Sequence, residues 1–127
     1  MSQKMNLEYV NNSAMKAMKA LPKEIALQFA TDLQRVQEGK SPLSDFKHLK
    51  GIGQGGVIEL IENGSPAYRA VYCAKYEDTV FVLHAFTKTT NGVDRAAMKT
   101  VEERYKAMMA EVNAKEAKEE VRQLRPR

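Results

Sequence analysis

One cysteine and two histidines in 127 residues leave little material for covalent or metal cross-links. Cys73 has no second thiol to bridge within the chain, which excludes a disulfide framework and a cysteine-rich zinc site. His48 and His84 are too few for most histidine-based metal sites, so neither a metal nor a cofactor is expected. Long apolar runs are missing too. Stretches such as Val80-Phe81-Val82-Leu83 fall far short of the roughly 18 to 20 residues of a membrane span, and no bilayer crossing is expected. Lys4, Glu8, Lys16, Lys19 and Lys23 interrupt the apolar centre a signal peptide needs, and with the lone thiol this predicts a cytoplasmic protein.

What is present suits one soluble domain: 43% of the residues are hydrophobic and 28% charged. A chain of this length buries roughly two-thirds of its unfolded surface, enough for a core without staples. Lys and Arg number 20 against 16 Asp and Glu, a net charge of +4 with a sequence pI near 9.2. That excess permits a nucleic-acid partner, because bound cations release the counterions of phosphates. It is spread along the whole chain, so any basic patch must be assembled by folding.

Ser13 to Ala20 is rich in strong helix formers, with Asn12 or Ser13 as its expected cap. After Leu21-Pro22, the spacing of Ile25, Phe29, Leu33 and Val36 predicts a second helix to about Glu38, stopped by Gly39. The two read as an αα-hairpin, with Leu7 to Val10 a possible leading strand. Residues 39–56 read as a connecting loop. Three runs of β-branched and aromatic residues follow: Val57 to Glu62, Tyr68 to Lys75 and Thr79 to Thr87. Turn residues at Asn63-Gly64-Ser65-Pro66 and Glu77-Asp78 make them antiparallel hairpins. Asp94 then caps a helix on which Ala97, Val101, Tyr105, Met108 and Val112 share a face. The expected fold is α+β, with the helices on one face of a small antiparallel sheet. One domain spans 1–113, and 114–127 form a charged helical extension or fraying tail in which Pro126 ends any helix.

Gly51-Ile52-Gly53-Gln54-Gly55-Gly56 spells a dinucleotide fingerprint, but a strand follows it where a helix N-terminus is needed, so it reads as a loop. Arg69 stands inside a strand, sharing a face with Val71 and Cys73. It either pairs with a carboxylate or clamps a phosphate, which a planar guanidinium suits. Alternation predicts that His84, Phe86 and Lys88 share an open face opposite a core set of Phe81, Leu83, Ala85 and Thr87. His84 is a structural residue or, titrating near neutrality, a proton carrier. Glu59 and Ile61 lie on one face, where Glu59 forms a cross-strand pair with Arg69 or acts as a general base. Cys73 lacks an activating base and reads as packing.

In order, Tyr68-Arg69-Ala70-Val71-Tyr72, the run Val80 to Asn91 and a helix holding Glu102-Glu103-Arg104-Tyr105 make the stretch from Leu49 to Tyr105 resemble the phage-derived, HigB-like branch of the RelE/ParE toxin superfamily. The resemblance implies the toxin of a type II toxin–antitoxin pair, a metal-independent endoribonuclease cutting mRNA on the ribosome, with a helix-turn-helix antitoxin as partner. Arg69 would hold the scissile phosphate and Lys88 would add positive charge, with His84 or Glu59 handling protons. Lys50, Tyr72, Phe86 and Arg95 would contact RNA. Thr89 and Ile61 stand where the family carries cations, and Asp94 replaces a proline. The same superfamily contains gyrase-poisoning toxins that cut no RNA, and a phage relative without activity is the third alternative.

Overall fold

Asn11 accepts the Ala14 amide N–H on its side-chain oxygen at 2.8 Å and so opens helix α1 (Asn12–Lys19) in the computed structural model, which describes residues 4–125. The cap sits just ahead of the expected Asn12 or Ser13. A strand, β1 (Asn6–Tyr9), comes before it, and α2 (Lys23–Gln37) follows Pro22. The chain then forms β2 (Asp45–His48), β3 (Val57–Glu62), β4 (Ala67–Tyr76), β5 (Thr79–Lys88) and α3 (Arg95–Leu124).

The architecture is α+β, built on one five-stranded sheet in the order β1-β5-β4-β3-β2. It is mixed, not purely antiparallel, because β1 pairs parallel with β5. Strand β2 lies within the stretch expected to be loop. Its residues Asp45-Phe46-Lys47-His48 are all exposed and show no apolar alternation, so pairing with β3 makes this strand and periodicity does not. A buried carboxylate on α2 guides the chain there: Asp32 accepts the N–H of Leu43 at 2.8 Å, the N–H of Ser44 at 3.1 Å and the Ser44 hydroxyl.

The expectation of helices on one face is corrected by two separate cores. On one side Phe29 and Leu33 of α2 pack with Met18 and Leu21 on Leu60, Ala70, Tyr72, Val80, Val82 and Ala85. On the other, Val101, Met108 and Val112 of α3 cover Val57, Val71, Cys73, Phe81 and Leu83. Full burial of each such aliphatic side chain contributes about 1.5–3 kcal/mol. A strand covered on both faces is apolar at both parities, so alternation cannot say which set is core. Strand β5 also changes parity midway. Val71 pairs with His84 but Tyr72 with Val82, leaving Leu83 as the extra residue of a bulge. Beyond it, Ala85 faces α1 and α2 while Phe86 faces α3, together with Arg69, its partner across the strands.

The last helix continues past residue 113 to Leu124, with its residues beyond Val112 exposed. The helix end expected from Pro126 lies outside the described residues. No helix among the described residues is long and apolar enough to cross a membrane.

Candidate functional site

The first turns of α3 stand over the rim of the sheet and leave a cleft of about 590 Å³ beneath them. Asp94 starts the helix as expected, accepting the Ala97 N–H on its side chain at 3.0 Å. One turn apart, Arg95 and Lys99 line the helix wall of the cleft, with Met98 between them and Glu102 a turn further on. The opposite wall is Lys47 on β2 and the segment Leu49 to Ile52, including Lys50; Phe86 and Lys88 come from β5. Lys47, Lys50, Lys88, Arg95 and Lys99 thus converge on one opening, against Glu59, Asp94 and Glu102. A low-dielectric wall lined mostly by one sign of charge focuses its field on an anionic ligand.

Glu59 lies in this cleft and is only 5% exposed. Its Oε1 is 3.5 Å from Lys47 Nζ and 3.7 Å from Arg69 Nε, so the expected pairing with Arg69 is present. Cross-strand register explains both contacts. Lys47 is directly opposite Glu59, whereas Arg69 is opposite Ile61 and reaches Glu59 along the diagonal.

Arg69 is placed differently from a phosphate clamp. It is 7% exposed, and its Nη1 donates to the carbonyls of Tyr68 at 2.9 Å and Glu62 at 3.3 Å, while Nη2 donates to Asn63 Oδ1 at 3.0 Å. With Nε facing Glu59, every nitrogen of the guanidinium has a protein partner. The residue ties the β3–β4 turn to the sheet.

His84 shares a face with Phe86 and Lys88 as expected, but that face is roofed by α3. Arg104 Nη1 lies 3.1 Å from His84 Nδ1 and donates to the Leu83 carbonyl at 3.0 Å. A guanidinium only donates, so Nδ1 is the acceptor and the ring proton sits on Nε2. Burial, and then the Arg104 charge, pull the imidazole down to about 4, with Asp94 opposing. At neutral pH the ring is uncharged and has no proton to give as a strong acid. Its face stacks on Phe86, centroids 5.2 Å apart, and orients that ring at the cleft.

Tyr72 is a correction. It points to the other side of the sheet, 2% exposed in the α2 core, with its phenol pushed up to about 12 by burial and by Asp32. Its ring cannot stack a base. Cys73 is packing, as expected; it is fully buried and its thiol is pushed up by that burial. The glycine segment folds as a turn, with Gly53–Gly55 in a short 3₁₀ arrangement. His48 lies on the face opposite Lys47, and its Nδ1 donates to the Gly55 carbonyl at 2.6 Å.

The cleft therefore collects Glu59, Lys88, Phe86, Lys50 and Arg95 from the sequence candidates, with Arg69 and His84 supporting it from behind. A family model described as phage derived protein Gp49-like (DUF891) matches residues 16–106. The chain belongs to the Gp49-like family. The match runs from within α1 to Lys106 on α3 and so takes in every residue lining the cleft. Among solved structures, the toxin–antitoxin complex RelBE2 from Mycobacterium tuberculosis is similar at 16% identity and a TM-score of 0.43, over 71% of this chain and 98% of the other. No curated protein matches.

Within this Gp49-like chain, Lys47, Lys99 and Glu102 are cleft residues that sequence reasoning missed. For Lys99 and Glu102 a signal existed, since they recur at helical spacing from Arg95. Lys47 carried none, because its position depends on a strand the sequence does not announce.

Proposed function

We propose that this protein is the toxin of a type II toxin–antitoxin pair and acts as an mRNA endoribonuclease on translating ribosomes, in the HigB-like manner. The observation that carries the reading is the buried Glu59 carboxylate within a cleft of converging cations. Family membership and the ordered motifs from Leu49 to Tyr105 support it. Glu59 takes the proton of a ribose 2′-hydroxyl as its oxygen bonds to the adjacent phosphorus. The bond from phosphorus to O5′ breaks, a 2′,3′-cyclic phosphate remains, and the departing oxygen takes a proton from water at the open mouth. Lys88 and Lys47 stabilise the charge that builds on the phosphoryl oxygens, Arg95, Lys99 and Lys50 guide the backbone, and Phe86 offers a stacking surface. Arg69 acts through Glu59 and the turn and does not touch the phosphate. The partner on this reading is a helix-turn-helix antitoxin.

Induction of wild type and Lys88→Ala in a bacterial host, with transcript 5′ ends mapped, tests the proposal. New ends inside translated regions, seen with wild type and absent with Lys88→Ala, are expected. Growth arrest with intact transcripts would overturn it and point to gyrase or another target, and soluble wild type without any arrest would point to a relative that has lost activity.

A further inference from the structure

Beside the main cleft lies a second, smaller hollow of about 300 Å³, walled by the β3–β4 turn and by the residues that follow β5. Lys88 lines both openings. The hollow differs in chemistry from its neighbour. Arg69 lies in its wall with both terminal nitrogens bonded to the protein, and apart from Lys88 the polar groups are neutral, Asn63, Ser65, Thr89, Thr90 and Asn91, beside the apolar Pro66 and Ala67. Such a lining suits a heteroaromatic edge rich in donors and acceptors better than it suits a phosphate.

The contact between Arg69 and Asn63 sets what the hollow presents. A guanidinium has no acceptor, so the Asn63 atom 3.0 Å from Nη2 must be the carbonyl oxygen, and the amide cannot flip. The Nδ2 end then faces away from Arg69 with two N–H donors, and among the described residues no group accepts from them. We propose that this hollow is a nucleobase subsite, in which Asn63 donates to an acceptor edge of the base next to the phosphate held at Lys88. The inference rests on the ribonuclease reading for its substrate class and adds the residue that sets sequence preference. Arg69 is the positioning residue, holding the Asn63 amide in its donating orientation.

Two variants separate the role from mere structure. Asn63→Ala removes the donors. Asn63→Asp keeps an acceptor for Arg69 and offers the base an acceptor in their place. Purified protein is titrated with single-stranded RNA hexamers in which one position is varied through A, C, G and U, and transcript ends are mapped in cells for the same proteins. Wild type should prefer G and U, whose O6/N7 and O4 edges present acceptors alone, over A and C, which present an exocyclic amine there, by about tenfold at one position, the scale of a good amide–base contact. Asn63→Ala should flatten that preference and Asn63→Asp should shift it toward A and C, whose exocyclic amines donate to a carboxylate. Cutting whose base preference is the same in all three proteins would overturn the subsite and leave the ribonuclease reading standing. Asn63-dependent base preference in binding without any new transcript ends would overturn the ribonuclease reading and support the subsite. Neither cutting nor binding by wild type would overturn both.

Discussion

Arg69 Nε lies 3.7 Å from Glu59 Oε1, and the two residues are 7% and 5% exposed, so the pair is removed from water on adjacent strands. Taking away Arg69 leaves the carbonyls of Tyr68 and Glu62 without that donor and the buried Glu59 with only the exposed Lys47 against its charge. Arg69→Ala is expected to destabilise the fold by about 3–5 kcal/mol, seen as a lowered urea midpoint. Arg69→Lys, with one point charge in place of a fork, should recover only part of that. Loss of toxicity in Arg69→Ala then reports on stability, and Lys88 is the better position for testing chemistry.

Glu59→Gln keeps the shape of the buried side chain and removes its basicity. Cutting should fall by roughly 10²–10⁴-fold, the usual worth of a general base, while RNA binding holds or tightens because a negative charge has left a basic cleft. Single-turnover rates and equilibrium binding, measured on the same preparation, separate these effects. Equal losses in both would contradict the assignment.

His84 couples stability to pH. Its imidazole is held at about 4 when folded, against an ordinary value of 6.5, so the unfolded chain binds the proton first. The contribution is complete above about pH 6.5 and is lost as the pH falls toward 4. For a half-buried ring, screening by solvent reduces it to roughly 1–2 kcal/mol. Chemical denaturation between pH 7 and pH 4 should show a shallower decline for His84→Gln than for wild type.

Gly53 occupies the left-handed region (φ 64°), and a Cβ there would stand 2.7 Å from Val57 Cγ2 and 3.2 Å from the Tyr105 ring. Gly53→Ala should cost about 1–3 kcal/mol through strain and overpacking. Gly51→Ala, also at positive φ but with nothing within 4 Å, should cost less. Comparing their thermal midpoints isolates the contacts of the glycine turn with Val57 on β3 and Tyr105 on α3.

Much of the chain was legible from local pattern. Val57 to Glu62, the two long strands after it, the α2 stripe and the Asp94 cap all follow from neighbours a few residues apart, and turn chemistry joined the strands correctly. Glu59 and Arg69 could be placed on one face because nothing disturbs alternation between Val57 and Val71. Backbone sterics and side-chain period act over such distances, and a sequence displays them directly. Tertiary structure decided the rest. The coverage of both sheet faces, the parallel pairing of β1, the making of β2 against β3 and the bulge at Leu83 depend on contacts between segments far apart in the chain. Those contacts buried Tyr72 in the wrong core for a base, committed Arg69 to the β3–β4 turn, and drew Lys47, Lys50, Lys88, Arg95 and Lys99 from four segments into one cleft. A modest and evenly spread charge excess becomes a site only when folding concentrates it.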